Sequence, residues 1–187
     1  MKYLILLLSS AFINNVVLTQ LLGIAPMMTG TRKVDSALKL SLVVAIVLIL
    51  STITNYLIEE YILYPFQIQY LQILFFVLIV LIIGHLVQIV LIKIPGLIEQ
   101  FEENFFVLLV SNSTILGTSL IVIKKHVNFL ESAVIGLGSA LGYVLIMIIF
   151  AAIQEQLRLE PLPKNMQGYP ILLIIAGILA MAFIGFK

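Results

Sequence analysis

The sequence contains no cysteine, no tryptophan and only two histidines, His85 and His126. Without cysteine, this chain cannot form disulfides, thiolate nucleophiles, zinc–thiolate sites or cysteine-ligated iron–sulfur clusters. The sequence also lacks a glycine-rich phosphate loop, a hydrolase triad and any cluster of His, Asp and Glu at metal-ligand spacing. We therefore expect no catalytic residue and no metal site, so that the chain is at most a non-catalytic component of an enzyme.

Charge is also scarce. Charged residues make up 10% of the 187 residues, whereas soluble domains carry about 25%. Hydrophobic residues make up 62%, and the mean hydropathy is +1.21. So few charges cannot cover this apolar content with a water-facing surface, which predicts an integral membrane protein. The formal net charge of +1 gives no reason to expect a nucleic-acid partner.

The apolar segments are separated by short polar loops and predict an all-α protein with six transmembrane helices in one domain. We place these helices at about residues 3–31, Ala37–Ile58, Gln69–Ile92, Phe105–Ile123, Glu131–Ile153 and Tyr169–Phe186. Glu59-Glu60 is expected to close the second helix, and Asn128 with Glu131 to form a capping box before the fifth. A signal peptide ending near Ser9-Ser10-Ala11 is disfavoured because the apolar run continues beyond it.

An internal repeat divides the chain into halves of about residues 1–94 and 97–187. Val34-Asp35-Ser36-Ala37 matches Leu130-Glu131-Ser132-Ala133, and Ile58-Glu59 matches Gln154-Glu155 at the same offset. Each half then has three helices, of which the first is broken by polar residues. An odd number of spans per repeat inverts the second half relative to the first.

The two broken helices predict a functional centre near the membrane midplane. Its candidate residues are Asn14, Asn15 and Gly23 in the first half and Asn112, Ser113 and Gly117 in the second. Backbone groups freed by a break need partners inside the bilayer, and the neighbouring amides and hydroxyls can supply them. The alternative is that these amides only hold helices together, each contributing about 0.6 kcal/mol.

A second candidate is an ion path along the third helix, where His85 and Gln88 lie about one turn apart and share a face. The alternative is that both side chains are packed between helices. No carboxylate lies clearly at mid-membrane depth, which argues against a simple proton or sodium carrier within this chain alone.

Several motifs resemble the family of membrane subunits shared by the Rnf and Nqr respiratory complexes. They are Asn14-Asn15-Val16-Val17-Leu18, Leu22-Gly23-Ile24-Ala25-Pro26-Met27-Met28, Asn128-Phe129-Leu130-Glu131-Ser132-Ala133, Phe150-Ala151-Ala152-Ile153 and Ala176-Gly177-Ile178-Leu179-Ala180-Met181-Ala182-Phe183. The Asn14-Asn15 pair and the run from Phe150 resemble the A-type member of Rnf more than the E-type member of Nqr. The resemblance extends in order along essentially the whole chain.

This resemblance implies a six-helix membrane protein with inverted halves, paired with a homologous subunit of opposite orientation in a prokaryotic plasma (inner) membrane. In such complexes the pair holds a two-iron, two-sulfur cluster that passes electrons between flavin and iron–sulfur partners while Na⁺ or H⁺ is translocated. Each member of the pair supplies two cysteines, one in each broken helix. Here those positions fall on Ala25 and Ser113, the family's acidic residue late in helix three on Gln88, and its arginine on Gln154.

We therefore expect a membrane subunit of an Rnf-like complex that cannot ligate the shared cluster through cysteine. Two alternatives remain, namely a small-solute or ion transporter or channel, and a purely structural scaffold subunit. The positive-inside bias places both termini outside. One side holds Lys2, Lys124, Lys125 and Lys187, and the other Arg32, Lys33, Lys39, Lys93, Arg158 and Lys164.

Overall fold

The described part of the chain is built from helices and contains no β-strand. A computed structural model describes residues 1–29, 34–93, 109–110, 112–159, 163 and 166–185. The predicted all-α class is confirmed. The N-terminal half of the predicted fourth helix lies largely outside the described residues, as do Ser111 and the end of the sixth helix at Phe186.

The first segment is broken twice. Helix α1 (Lys2–Leu8) continues through a π-helical turn (Ser9–Ile13) and ends at Asn14. Helix α2 (Val16–Gln20) begins after Asn15, and α3 (Ile24–Thr29) begins after a second interruption at residues 21–23. Leu21 and Gly23 both have positive φ, 53° and 79°. The predicted break is therefore present, and it consists of two closely spaced interruptions.

The remaining helices follow the predicted order. They are α4 (Val34–Ile58), α5 (Gln72–Ile92, preceded by a 3₁₀ turn at Gln69–Leu71), α6 (Ser113–Lys124), α7 (Phe129–Leu157) and α8 (Tyr169–Ile184). One helix end differs from prediction, because α4 does not stop at Glu59-Glu60. It continues through a π-helical turn, Glu59–Leu63, in which the Tyr64 N–H donates to the carbonyl of Glu59 at 2.9 Å.

Helix length separates the segments into two classes. Among the described residues, Val34–Leu63, Gln69–Leu91 and Phe129–Leu157 are long and apolar enough to cross a membrane. Lys2–Ile13, Ser113–Lys124 and Tyr169–Phe183 are apolar but shorter. The 12 residues of α6 span about 18 Å, roughly half of a hydrocarbon core of about 30 Å. This is the length expected of half a helix beginning near the midplane, and the count of six spans remains a prediction.

Helices α4 and α7 form the centre of the molecule. Each has 56% of its most apolar stretch buried, against 28% for α5, which lies at the periphery. Among the described residues, the largest interface joins α4 to α7, where Val44, Leu48, Tyr143, Met147 and Phe150 are among the fully buried side chains. These are the second helix of each predicted half.

The ends of α4 and α7 show that the two helices run antiparallel. The Val34 N–H at the start of α4 donates to Glu155 Oε2 near the end of α7, at 3.3 Å. At the opposite end, the rings of Tyr56 and Phe129 lie 6.1 Å apart. Inverted repeats require equivalent helices to be antiparallel, and the inversion itself remains a prediction.

Two glycines of α7 allow the first segment to pack closely against this helix. A Cβ atom at Gly142 would lie 2.6 Å from the Ala11 carbonyl oxygen, and one at Gly138 would lie 2.8 Å from that of Leu7. Small residues on α7 therefore allow the two helix backbones to approach closely. An ion pair between Lys2 and Glu131 joins the start of α1 to the start of α7. Glu131 Oε2 also accepts from the Asn128 N–H at 3.2 Å, as the predicted capping box requires.

Candidate functional site

Asn15 and Asn112 have the same geometry and the same role. Each has an extended backbone and precedes a helix, with φ/ψ of −61°/113° at Asn15 and −72°/105° at Asn112. The side-chain oxygen of Asn15 accepts from the Val17 N–H, and that of Asn112 from the Thr114 N–H, both at 3.0 Å. Both side chains are buried. The amides therefore satisfy backbone donors that a helix start leaves unpaired.

The amide nitrogens of these two asparagines bond to different partners. Asn15 Nδ2 donates to the Ala11 carbonyl at 2.8 Å. In a continuous helix that carbonyl would accept from the Asn15 backbone N–H, so the side chain replaces the lost backbone bond. Asn112 Nδ2 instead donates to Tyr143 Oη at 3.1 Å, which ties the second break to α7. Both breaks are thus supplied with polar partners by the protein itself.

The two breaks are in direct contact. The Gly23 N–H donates to Ser113 Oγ at 2.9 Å. Gly23 has a φ of 79°, and a Cβ atom there would overlap Thr114 Oγ1 and come within 3.2 Å of Asn112 Oδ1. Only glycine fits this backbone conformation at this distance. The first break therefore packs onto the first turn of α6.

Gly117 contributes to the same contact in a different way. It lies inside α6, and a Cβ atom there would overlap Leu22 Cδ1. Gly23 and Gly117 belong to different predicted halves, and their backbones differ, since Gly117 is helical and Gly23 is left-handed. The two glycines are on opposite faces of one interface and are not equivalent turns.

Two residues of this site, Tyr143 and Asn55, were missed by sequence reasoning. Tyr143 is fully buried on α7 and accepts from Asn112. Asn55 Nδ2 on α4 donates to Ser119 Oγ of α6 at 2.9 Å, and this bond is also buried. An isolated amide within a 25-residue apolar helix is a signal that could have identified Asn55. Tyr143 could have been identified from its place near the middle of the predicted fifth helix, because the other six tyrosines lie near predicted helix ends or in loops.

Other predicted site residues lie outside this buried contact. Asn14 is exposed, and its Nδ2 donates to Ser9 Oγ at 2.9 Å. His85 is exposed on α5 with apolar neighbours such as Leu86 and Ile89, and Gln88 is partly buried. The bond that joins the two breaks connects Gly23 to Ser113 and does not involve α5. The ion path through His85 and Gln88 therefore remains a prediction.

The sequence of this chain is similar to the sequences of known membrane proteins. The family described as "Rnf-Nqr subunit, membrane protein" matches residues 3–187. The chain belongs to this family. It is 37% identical to the A component of the ion-translocating oxidoreductase complex of Pseudoalteromonas translucida over 185 residues, covering 99% of this chain and 96% of the relative. The A components from Shewanella baltica (34% over 185 residues, 99% and 96% covered) and Actinobacillus pleuropneumoniae serotype 5b (34% over 184 residues, 98% and 95% covered) are similar over the same span.

Membership of the Rnf-Nqr family raises the question of whether these residues fit an iron–sulfur cluster. Such clusters are held by cysteine thiolates, with histidine replacing some in one class. Ala25, in the first turn of α3, has a methyl side chain without a donor atom. Ser113 has a neutral hydroxyl that accepts from Gly23. Among the described residues, no group of three or more His, Cys, Asp or Glu could hold a metal. The side chains at these two positions do not fit a cluster.

Proposed function

We propose that this chain is a membrane subunit of an Rnf-like, ion-translocating oxidoreductase complex, in which it serves without ligating an iron–sulfur cluster. The full-length match to the Rnf-Nqr family supports the first part, since three relatives carry the name of the A component of such a complex. The side chains of Ala25 and Ser113 support the second. Electron transfer within the complex is then carried by other subunits or by other cofactors.

The observation that carries the proposal is the hydrogen bond from the Gly23 N–H to Ser113 Oγ. It joins the two broken helices at a position where the family resemblance places a cysteine ligand. Asn112, which precedes Ser113, accepts from the Thr114 N–H and donates to Tyr143 Oη, and Thr114 packs against Gly23. Hydrogen bonds between uncharged groups thus hold the two breaks together, where a shared metal site would otherwise do so. The chain therefore retains the paired breaks as a rigid element.

The partners follow from the same proposal. A homologous membrane protein of opposite orientation, together with further subunits of the complex, assembles with this chain in a prokaryotic plasma (inner) membrane. Both termini lie on the outer side. The two halves, about residues 1–94 and 97–187, are the inverted units of one membrane domain.

Copurification tests the proposal. The tagged chain is purified in mild detergent from the membrane of its native host, and its companions are identified by mass spectrometry. We expect a flavoprotein and a ferredoxin-like protein. The iron content and visible absorption of the complex are then compared with those of the Ser113→Ala variant. Iron should be unchanged because Ser113 is not a ligand, and loss of iron, or recovery of the chain as a lone homodimer, would contradict the proposal.

A second function, transport of an ion or small solute by this chain alone, is favoured by one observation. A polar cavity of about 320 Å³ lies beside the first break and is lined in part by Ser9, Asn14 and Gln20. A homodimer that transports solute in proteoliposomes without electron-transfer partners would establish this function instead.

A further inference from the structure

A second polar cavity, of about 440 Å³, lies at one end of the helix bundle, where two helical hairpins meet. One wall comes from the end of α4 and the start of α5, and the other from the end of α6 and the loop that leads into α7. We call it the hairpin cavity. Its volume is within the range of about 300–1,000 Å³ that is usual for ligand sites.

Aromatic side chains place the hairpin cavity at the boundary between membrane and water. The end of α4 and its connection to α5 present four of them, which are 67–80% exposed: Tyr61, Tyr64, Phe66 and Tyr70. Tyr64 also lines the cavity, as does Tyr56. Tyrosine is enriched at the depth of the lipid headgroups, where its ring is in apolar surroundings and its hydroxyl reaches water. A lipid that enters this cavity from the membrane therefore does so with its headgroup.

The hairpin cavity has carboxylates on one wall and nitrogen donors on the other. Glu59 and Glu60 belong to the π-helical turn that ends α4, whereas Lys124 is the last residue of α6 and His126 follows it in the loop. None of these four residues forms an ion pair within the described part of the chain. The groups on the two walls thus do not pair with each other, and a ligand that carries both charges can bridge them.

Each wall suits one half of a zwitterion. On the acidic wall, Gln72 donates to the Glu59 side chain and so orients it, and Glu60 is exposed. Two neighbouring carboxylates attract an ammonium group, which can donate an N–H to each of them. On the basic wall, Lys124 offers its ammonium donors and His126 an imidazole N–H, which are suitable partners of a phosphate. A ligand with an ammonium at one end and a phosphate at the other therefore complements both walls.

We propose that the hairpin cavity binds the headgroup of phosphatidylethanolamine, with its ammonium at Glu59 and Glu60 and its phosphate at Lys124. The two carboxylates repel an anionic headgroup that lacks an ammonium, and the trimethylammonium of phosphatidylcholine has no N–H to donate to them. The acyl chains extend beside α5, where Gln72 of the cavity is followed by exposed apolar side chains such as Leu74. Pockets between transmembrane helices recognise lipid headgroups by their charge. This inference does not depend on the proposed function.

Native mass spectrometry of the full-length chain tests the proposal. The purified chain in detergent is mixed with equal amounts of phosphatidylethanolamine, phosphatidylcholine and phosphatidylglycerol that carry identical acyl chains, and the lipid retained after detergent release is identified. We expect phosphatidylethanolamine to be retained several-fold more than either of the others. Equal retention of the three lipids, or a preference for one of the other two, would overturn the proposal. Displacement of the lipid by an equal concentration of soluble glycerophosphoethanolamine would also contradict it, because the ligand would then be a water-borne zwitterion.

Matched variants locate the site. Glu59→Gln combined with Glu60→Gln should reduce retention of phosphatidylethanolamine to that of phosphatidylcholine, whereas Asp35→Asn, which changes an exposed carboxylate at the opposite end of α4, should not. Lys124→Gln should weaken retention of both lipids alike, because both carry the phosphate. The neighbouring Lys125→Gln, which lies outside the lining, should leave retention unchanged. If the double variant does not fold, Glu60→Gln alone, at an exposed position, takes its place. Retention by the carboxylate variant equal to that of Asp35→Asn would show that these carboxylates do not select the ammonium.

Discussion

Replacing Gly23 by alanine tests the contact between the two breaks directly. Gly23 has a φ of 79°, and its N–H donates to Ser113 Oγ. An added Cβ atom would overlap Thr114 Oγ1 and lie 3.2 Å from Tyr143 Cε2. The substitution therefore strains the backbone and forces the first break away from α6.

The expected cost can be worked out from these two effects. A non-glycine residue in the left-handed region costs about 1–2 kcal/mol. Overpacking by one methyl group in a close contact costs about 1–3 kcal/mol. The smaller conformational entropy of unfolded alanine returns about 0.4–1 kcal/mol. At the middle of these ranges the net loss of stability is about 3 kcal/mol, which corresponds to a fall in Tm of roughly 6–12 °C for a chain of this size.

The assay follows the monodisperse fraction by size-exclusion chromatography after heating the purified chain in detergent. Gly177→Ala is the matched control, because nothing lies within 4 Å of a Cβ atom there and the residue is helical. It should be neutral or raise Tm slightly. Adding Thr114→Ala to Gly23→Ala should recover part of the loss, since it removes the overlapping oxygen but not the backbone strain. A Tm of Gly23→Ala equal to that of Gly177→Ala would refute the close contact of the two breaks.

Two further predictions concern the same interface. Leu22→Cys with Gly117→Cys should form a disulfide on mild oxidation. Leu22 Cγ, which marks the place of a cysteine sulfur, lies 3.6 Å from the Cβ position of residue 117, so a sulfur on that Cβ can reach the S–S distance of about 2.0 Å after a small side-chain rotation. Mass spectrometry would detect it, and similar yields from the control pair Leu21→Cys with Gly117→Cys would count against this packing. Tyr143→Phe should lower stability by about 1 kcal/mol, because Asn112 Nδ2 loses its buried acceptor. The exposed Tyr61→Phe serves as its control in the same heating assay, and a loss no greater than that control would show that Asn112 does not depend on Tyr143.

The membrane class, the helix order and the positions of the breaks could be predicted from the sequence because they depend on local properties. Hydrophobic length specifies which segments can cross a bilayer. The caps formed by Asn15 and Asn112 bond to N–H groups only two residues ahead. The capping box at Asn128 also lies within one helical turn. Each of these interactions is contained in a few consecutive residues.

One helix end could not be predicted in this way. Glu59 and Glu60 look like a polar stop, yet α4 continues through a π-helical turn to Leu63, which is fully buried. Burial of Leu63 depends on surrounding segments and not on the two glutamates. Packing therefore outweighed the local polarity of the helix end.

Local patterns of residues were enough to predict a helical membrane protein with two asparagine-capped breaks and no thiolate at the family's ligand positions. Packing between distant segments brings about the bonds of Gly23 to Ser113, of Asn112 to Tyr143 and of Asn55 to Ser119. These partners are 90, 31 and 64 residues apart in the chain. Contacts over such separations depend on how α4, α6 and α7 pack, and no local pattern of residues encodes that packing.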